Sequence, residues 1–260
     1  MDFSNYIFRC SALGKLLSKS GKFTDGNKTY LNELFVGAIN GVRKEASSKY
    51  FEKGLFEEES GITLLNKALY PNSICVKNKE RKSNEWINGE MDCKMYDIVY
   101  DIKNAWDVFT FGNADLTHEY EWQLRGYMWL WNVRNARLFY CLNNTPDHIF
   151  ESEARKMLWN NFTSEDSPEY IEAYQNLKAK HTHENKPLWE RFKVWDIAHD
   201  DNKIDELKTA IASARKYLCE LWNEHEATIA KNKMLMGIVS EITPITIHDQ
   251  NITIHDSIKA

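Results

Sequence analysis

The run Ile98-Val-Tyr-Asp-Ile-Lys103 sets the strongest limit on how this chain can fold. Its β-branched and aromatic residues favour a strand. Only a few residues separate it from Met91-Asp92-Cys93, so the two pieces read as neighbouring strands of a hairpin. Side chains alternate along a strand, which puts Asp101 and Lys103 on one face. On the first strand Glu90 lies two residues from Asp92 on the same side, either as a ligand or as a rim charge.

Further along, Glu121-Trp-Gln-Leu-Arg-Gly-Tyr127-Met-Trp-Leu-Trp131 reads as a helix, and a spacing of four stacks Gln123 and Tyr127 on one side. The segment is too apolar for a surface helix. Its tryptophans therefore belong to the core, and a semi-buried Gln123 must find hydrogen-bond partners. Residues 106–117, with Gly112-Asn113, read as a loop able to contact a substrate. Ala136 to Leu142 alternates poorly and fits a strand buried on both faces.

Two acids with a lysine two residues beyond the second meet the needs of metal-assisted phosphodiester hydrolysis. Carboxylate oxygens suit Mg²⁺, which keeps waters and takes further ligands from substrate phosphate. A bound metal neutralises charge on the phosphoryl oxygens, and a nearby ammonium shares that work. The order Asp92, Asp101-x-Lys103, Gln123-xxx-Tyr127 resembles the PD-(D/E)xK nuclease superfamily, in its RecB-like and phage lambda-exonuclease-like branch. The motifs cover about residues 5 to 142 and, more loosely, 188 to 224. Asp101 stands where that branch more often has Glu, and Cys93 where it often has Gly. The shorter acid loses about 1.5 Å of reach.

The resemblance implies an α/β fold with a restriction-endonuclease-like core: helix, three-stranded meander, helix, strand, then an additional C-terminal strand and helix. It implies a metal-dependent exonuclease on linear duplex DNA, with Mg²⁺ as cofactor and Mn²⁺ able to substitute. Asp92, Asp101 and Glu58 would hold the metal, with Glu57 and Glu59 as register alternatives to Glu58 and the Ile102 carbonyl as a further ligand. Lys103 would position or help deprotonate the attacking water, and Gln123 and Tyr127 would support the site. An Arg-x-Ser-x-x-Gly-Lys element near the start, Arg9-Cys-Ser11-Ala-Leu-Gly-Lys15, marks Arg9, Ser11 and Lys15 as DNA contacts. The partners implied are DNA with a free end, a strand-annealing protein and further copies of the chain in a ring. A nicking or structure-specific endonuclease, or a non-catalytic DNA-binding or assembly protein of the same fold, are the alternatives.

Outside these motifs, residues 8–17 have helical spacing with Ser11 as a candidate cap, and the pattern from Thr29 to Leu69 is helical. Glu151 to Phe162 fits an amphipathic helix, and Leu188 to Ile197 an extra strand. Asp200-Asp201 caps a helix with Ile204, Leu207, Ile211, Ala214, Leu218 and Leu221 as its apolar stripe. His181 and His183, on a polar stretch, read as solvated. We expect one domain over 1–240, with a core at about 5–142 and an extension at about 143–240. Residues 241–260 form a tail in which Ile245-Thr-Ile-His-Asp249 is echoed by Ile252-Thr-Ile-His-Asp256, as hairpin, disordered segment or docking tail.

A hydrophobic share of 43% with nine tryptophans argues for a packed protein. Five scattered cysteines without a CxxC pair point to reduced thiols in a cytoplasmic setting, the host cytoplasm if viral, and against a cysteine-held cluster. No apolar run is long enough for a membrane span. The net charge of −5 excludes a DNA footprint spread over the whole surface. Local charge differs: residues 1–53 hold nine basic side chains (Arg9, Lys15, Lys19, Lys22, Lys28, Arg43, Lys44, Lys49, Lys53) against five acids (Asp2, Asp25, Glu33, Glu45, Glu52), and Lys77-Asn-Lys79-Glu-Arg81-Lys82 is a second basic run. Each is either a phosphate track or a solvated face.

Overall fold

The computed structural model describes residues 1–18, 23–42, 49–183 and 185–237, with 49–57 as backbone only; the 241–260 tail lies outside the described residues. The fold is α/β and matches the expected core. Its centre is a four-stranded sheet in the order β4 (Cys93–Met95), β5 (Ile98–Asn104), β6 (Asn135–Cys141), β7 (Phe192–Ala198). β4 and β5 form the expected antiparallel hairpin, β5 and β6 run parallel, and β6 and β7 are antiparallel. A parallel pair needs a crossover, and α4 (His118–Trp131) supplies it.

Alternation along β5 divides the two sides of this sheet. Val99, with Leu138 of β6, joins α4 and its Trp122, Leu124 and Met128 in the main core. Tyr100 and Ile102, with Phe139 and Cys141, face Ile62 and Leu65 of α2 (Lys49–Leu69). The helix α7 (Asp201–Leu235) buries Ile204, Leu207, Ile211, Ala214 and Leu218 of the expected stripe and leaves Leu221 half-buried, and Asp200 caps it by accepting from the Asn202 N–H.

A second, three-stranded sheet has the order β1 (Phe8–Arg9), β3 (Ile87–Gly89), β2 (Lys82–Ser83), with β1 parallel to β3. The meander thus begins with β3 in this small sheet and continues as the β4–β5 hairpin in the large one. After β1 the chain makes a 3-10 turn over Cys10–Lys15 rather than an α-helix, and Arg9, not Ser11, stands at its start, with no side-chain cap. The turn lies so close to α4 that a Cβ on Gly14 would sit 2.6 Å from the Glu119 Cα.

Several local expectations are corrected. The helical pattern from Thr29 to Leu69 is two helices, α1 (Asp25–Asn40) and α2, because Gly41 adopts a left-handed φ of 65° and closes the first. The loop at 106–117 contains a short helix, α3 (Val108–Gly112), started by Asp107 accepting from the Thr110 N–H. The helix expected from Glu151 begins earlier, as α5 (Asp147–Asn161). His181 and His183 are 5% and 1% exposed, not solvated. The end of α6 (Pro168–His181) docks on the loop after β6: the His181 Nδ1 lies 2.9 Å from the Thr145 hydroxyl, and the His183 N–H donates to Asn144 Oδ1 at 2.7 Å.

Candidate active site

Asp101 occupies the middle of β5 with its side chain 1% exposed. Burying a carboxylate is costly unless it is paired and hydrogen-bonded. Here Oδ1 accepts from the Lys103 Nζ at 2.9 Å and from the Gln123 Nε2 at 2.9 Å, while the ammonium stands 2.8 Å from Oδ2. The Gln123 amide also donates to the Tyr127 hydroxyl at 2.8 Å. One helical turn of α4 therefore reaches the sheet with two side chains in series, as their spacing implied. On its other side the Lys103 ammonium lies 5.4 Å from the centroid of the Tyr120 ring, a site residue the sequence reading missed.

Asp92 lies one residue before β4, not within it. The ladder pairs Cys93 with Tyr100; continued, it would pair Met91 with Ile102. The Asp92 carboxylate instead takes the Ile102 N–H, through Oδ2 at 2.5 Å. Its main-chain carbonyl accepts from the Asn78 N–H at 2.7 Å. Ile102 is thus joined to the site through its N–H, beside the carbonyl that the resemblance implies as a further ligand.

The charges bear on one another. Burial, then the neighbouring Asp101 carboxylate, pushes the Asp92 pKa up to about 7, against the opposing pull of Lys103 and the Ile102 N–H. Burial disfavours the Lys103 ammonium, but Asp101 and Asp92 together outweigh it and hold its pKa above the ordinary value. Lys103 is therefore a cation at neutral pH. Burial and Asp101 raise the Tyr127 pKa, so its hydroxyl stays neutral.

No protein-family model and no curated protein matches the sequence. Solved structures do. The structure of a phage related exonuclease from Haemophilus somnus 129PT is similar with a TM-score of 0.66 and 27% identity, over 85% of this chain and 97% of that one. An alkaline exonuclease from Laribacter hongkongensis is similar at 0.57 and 12% identity, over 88% and 95%. Its complex with dAMP is similar at 0.57 and 13%, over 86% and 94%. This is the lambda-exonuclease-like fold of the PD-(D/E)xK superfamily.

The lambda-exonuclease-like fold brings Asp92, Asp101, Lys103, Gln123 and Tyr127 together, but not all of the expected ligands. Glu58, on α2, accepts from the Lys77 Nζ at 2.7 Å and bears only weakly on Asp92. Glu59 is exposed, and the Glu57 side chain lies outside the described residues. Glu90 is a rim charge, 3.6 Å from Arg81. Among the described residues, no three His, Cys, Asp or Glu side chains form a metal-binding group.

The donor set nevertheless suits a hard cation. The Asp92 and Asp101 carboxylates lie close enough to act on one another's charge, and the buried Asp101 Oδ2 receives no well-directed hydrogen bond despite the nearby ammonium. Mg²⁺ commonly binds through one or two carboxylates, with waters and substrate phosphates completing its shell. Asp92 and Asp101 fit that description, and among the described residues no all-protein cage is formed. Arg9, Ser11 and Lys15 are exposed on β1 and the turn after it. Among the described residues, no hydrogen bond or ion pair links them to the acids, and the Lys15 ammonium lies over the Tyr30 ring at 5.3 Å.

Proposed function

We propose that the chain is a Mg²⁺-dependent exonuclease acting on linear duplex DNA. The observation that carries this reading is the buried Asp101, held by Lys103 and Gln123 beside Asp92, on a fold shared over most of its length with a phage related exonuclease. The likeness supports a nuclease; the metal, the substrate and the mode of attack are our reading of the site.

Asp92 and Asp101 would hold the metal, which supplies Lewis-acid activation of water and neutralisation of phosphoryl charge. Lys103 enters the reaction already charged, which favours its role in positioning the attacking water and sharing negative charge on the phosphate over a role as general base. Gln123 fixes Asp101 at one oxygen and leaves Oδ2 facing the ammonium. Tyr127 fixes Gln123 in turn. The acid is thereby set before substrate arrives, so little reorganisation is needed at the moment of reaction.

The test is digestion of end-labelled linear duplex and closed circular DNA of the same sequence, in Mg²⁺, Mn²⁺ or EDTA. Metal-dependent loss of the linear form alone, absent in Asp101→Asn and Lys103→Ala, is the expected result. Cutting of circles would reassign the chain to the endonucleases, and no cutting in any metal would leave a DNA-binding role.

A further inference from the structure

The second basic run is not a uniform solvated face. Its charges divide by what they meet. Arg81 lies 3.6 Å from Glu90, and Lys82 lies 3.9 Å from Glu80 and over the Trp131 ring. Lys77 is engaged by Glu58 at 2.7 Å. Lys79 has no ion pair among the described residues. Nor has Lys94, which comes from a different element, β4.

Lys77, Lys79 and Lys94 line one groove of about 540 Å³, with Val76, Asn78, Glu80 and Met91 as its remaining walls. The groove is joined to the candidate active site by backbone. Lys77 bridges Cys93, the Asn78 N–H donates to the Asp92 carbonyl, and the Asn78 amide donates to the Met91 carbonyl at 3.1 Å. Its wall residue Met91 thus immediately precedes Asp92, one of the two acids. A groove beside a phosphodiester-cleaving centre, with two uncompensated ammonium groups and a third on its rim, has the chemistry of a polyanion track.

We propose that this groove holds the sugar-phosphate backbone of the DNA next to the scissile bond, with Lys79 and Lys94 as direct phosphate contacts. Lys77 exchanges Glu58 for a phosphate oxygen when the strand enters. The inference rests on the nuclease reading and deepens it, since it assigns the path of the strand on one side of the site. The contacts are to phosphate and carry no base preference.

The test is fluorescence anisotropy of a labelled linear duplex in Ca²⁺, titrated at several salt concentrations. The chains compared are wild type, Lys79→Ala/Lys94→Ala, Lys79→Arg/Lys94→Arg, and Lys231→Ala/Lys233→Ala on the exposed end of α7 as an equal-charge control. Two lost phosphate contacts should lower the slope of log affinity against log salt by about 2, and weaken binding roughly tenfold or more at low salt. The arginine pair should retain wild-type slope and affinity, as should the α7 pair. Unchanged slope in the alanine pair, or an equal loss in the α7 pair, would overturn the groove. A wild type that cleaves DNA while the alanine pair binds normally rejects the groove alone. A wild type that neither binds nor cleaves rejects the nuclease reading with it.

Discussion

Gln123 joins Asp101 to Tyr127, donating to the carboxylate at 2.9 Å and to the hydroxyl at 2.8 Å. A helix and a strand of opposite character are tied at one buried amide. Replacing Gln123 with Ala leaves a buried phenol unsatisfied and removes one of the bonds on Asp101. Such a change costs about 1–3 kcal/mol. Urea unfolding should show this loss, while Tyr127→Phe, which removes only the acceptor, should cost less. Equal stability of Gln123→Ala and wild type would contradict the buried network.

Removing the ammonium acts on chemistry and on folding alike, since it leaves the buried Asp101 carboxylate without its cation. Lys103→Ala should reduce the rate of linear duplex cleavage by about 10²-fold or more, in line with the loss of one preorganised electrostatic group. Lys103→Ala should also raise the apparent pKa of Asp92 further, because Lys103 is the largest influence opposing that rise. Carboxyl titration followed by NMR would read it.

The pH dependence has a definite sign. The folded pKa of Asp92, about 7, stands above the ordinary 3.8. Between these values the folded protein binds more protons than the unfolded chain, so stability falls as pH rises through that window. Lys103 adds no slope there, since a raised lysine loses its contribution only above its ordinary 10.5. In EDTA, Tm should be lower at pH 8 than at pH 5.5, and Asp92→Asn should flatten the difference. Mg²⁺ should raise Tm more at pH 8, where the carboxylate is already free of its proton.

Three consecutive glutamates on α2 should separate by register. Glu58 is partly buried and engaged by Lys77, whereas Glu59 is exposed. Calorimetric titration with Mg²⁺ should show binding weakened by Asp101→Asn and unchanged by Glu58→Gln or Glu59→Gln. Weaker binding in Glu58→Gln alone would add Glu58 to Asp92 and Asp101 as a ligand.

Gly14→Ala probes the seat of the N-terminal turn. The new methyl would lie 2.6 Å from the Glu119 Cα, a backbone atom that cannot rotate away. Overpacking of this kind costs about 1–3 kcal/mol. Thermal unfolding of Gly14→Ala should show the loss.

What could be read from sequence was what repeats locally. Alternation marked β5 and its Asp101–Lys103 face, a spacing of four marked Gln123 and Tyr127, and a long apolar stripe marked α7. What escaped depends on distant partners. Strands β1 and β3 are two and three residues long and pair across most of the first ninety positions, which no periodicity announces. His181 and His183 sit in polar sequence and become buried only because α6 docks on the loop after β6. At the site, Asp92 was identified but placed on a strand, because a side chain taking over a ladder bond looks the same in sequence as a strand residue. Tyr120 and the Lys77–Glu58 pair were missed for the same reason: both are encounters between separate elements.

The closeness of the Gly14 turn to α4 has a geometric outcome. The turn carrying Ser11 and Lys15 is seated against the backbone of the same helix that presents Gln123 to Asp101. If Ser11 and Lys15 contact DNA, as the resemblance implies, the phosphate they touch would be held at a fixed span from the acids. On the proposed function such an arrangement would work as a ruler, with the position of the cut set by packed main chain.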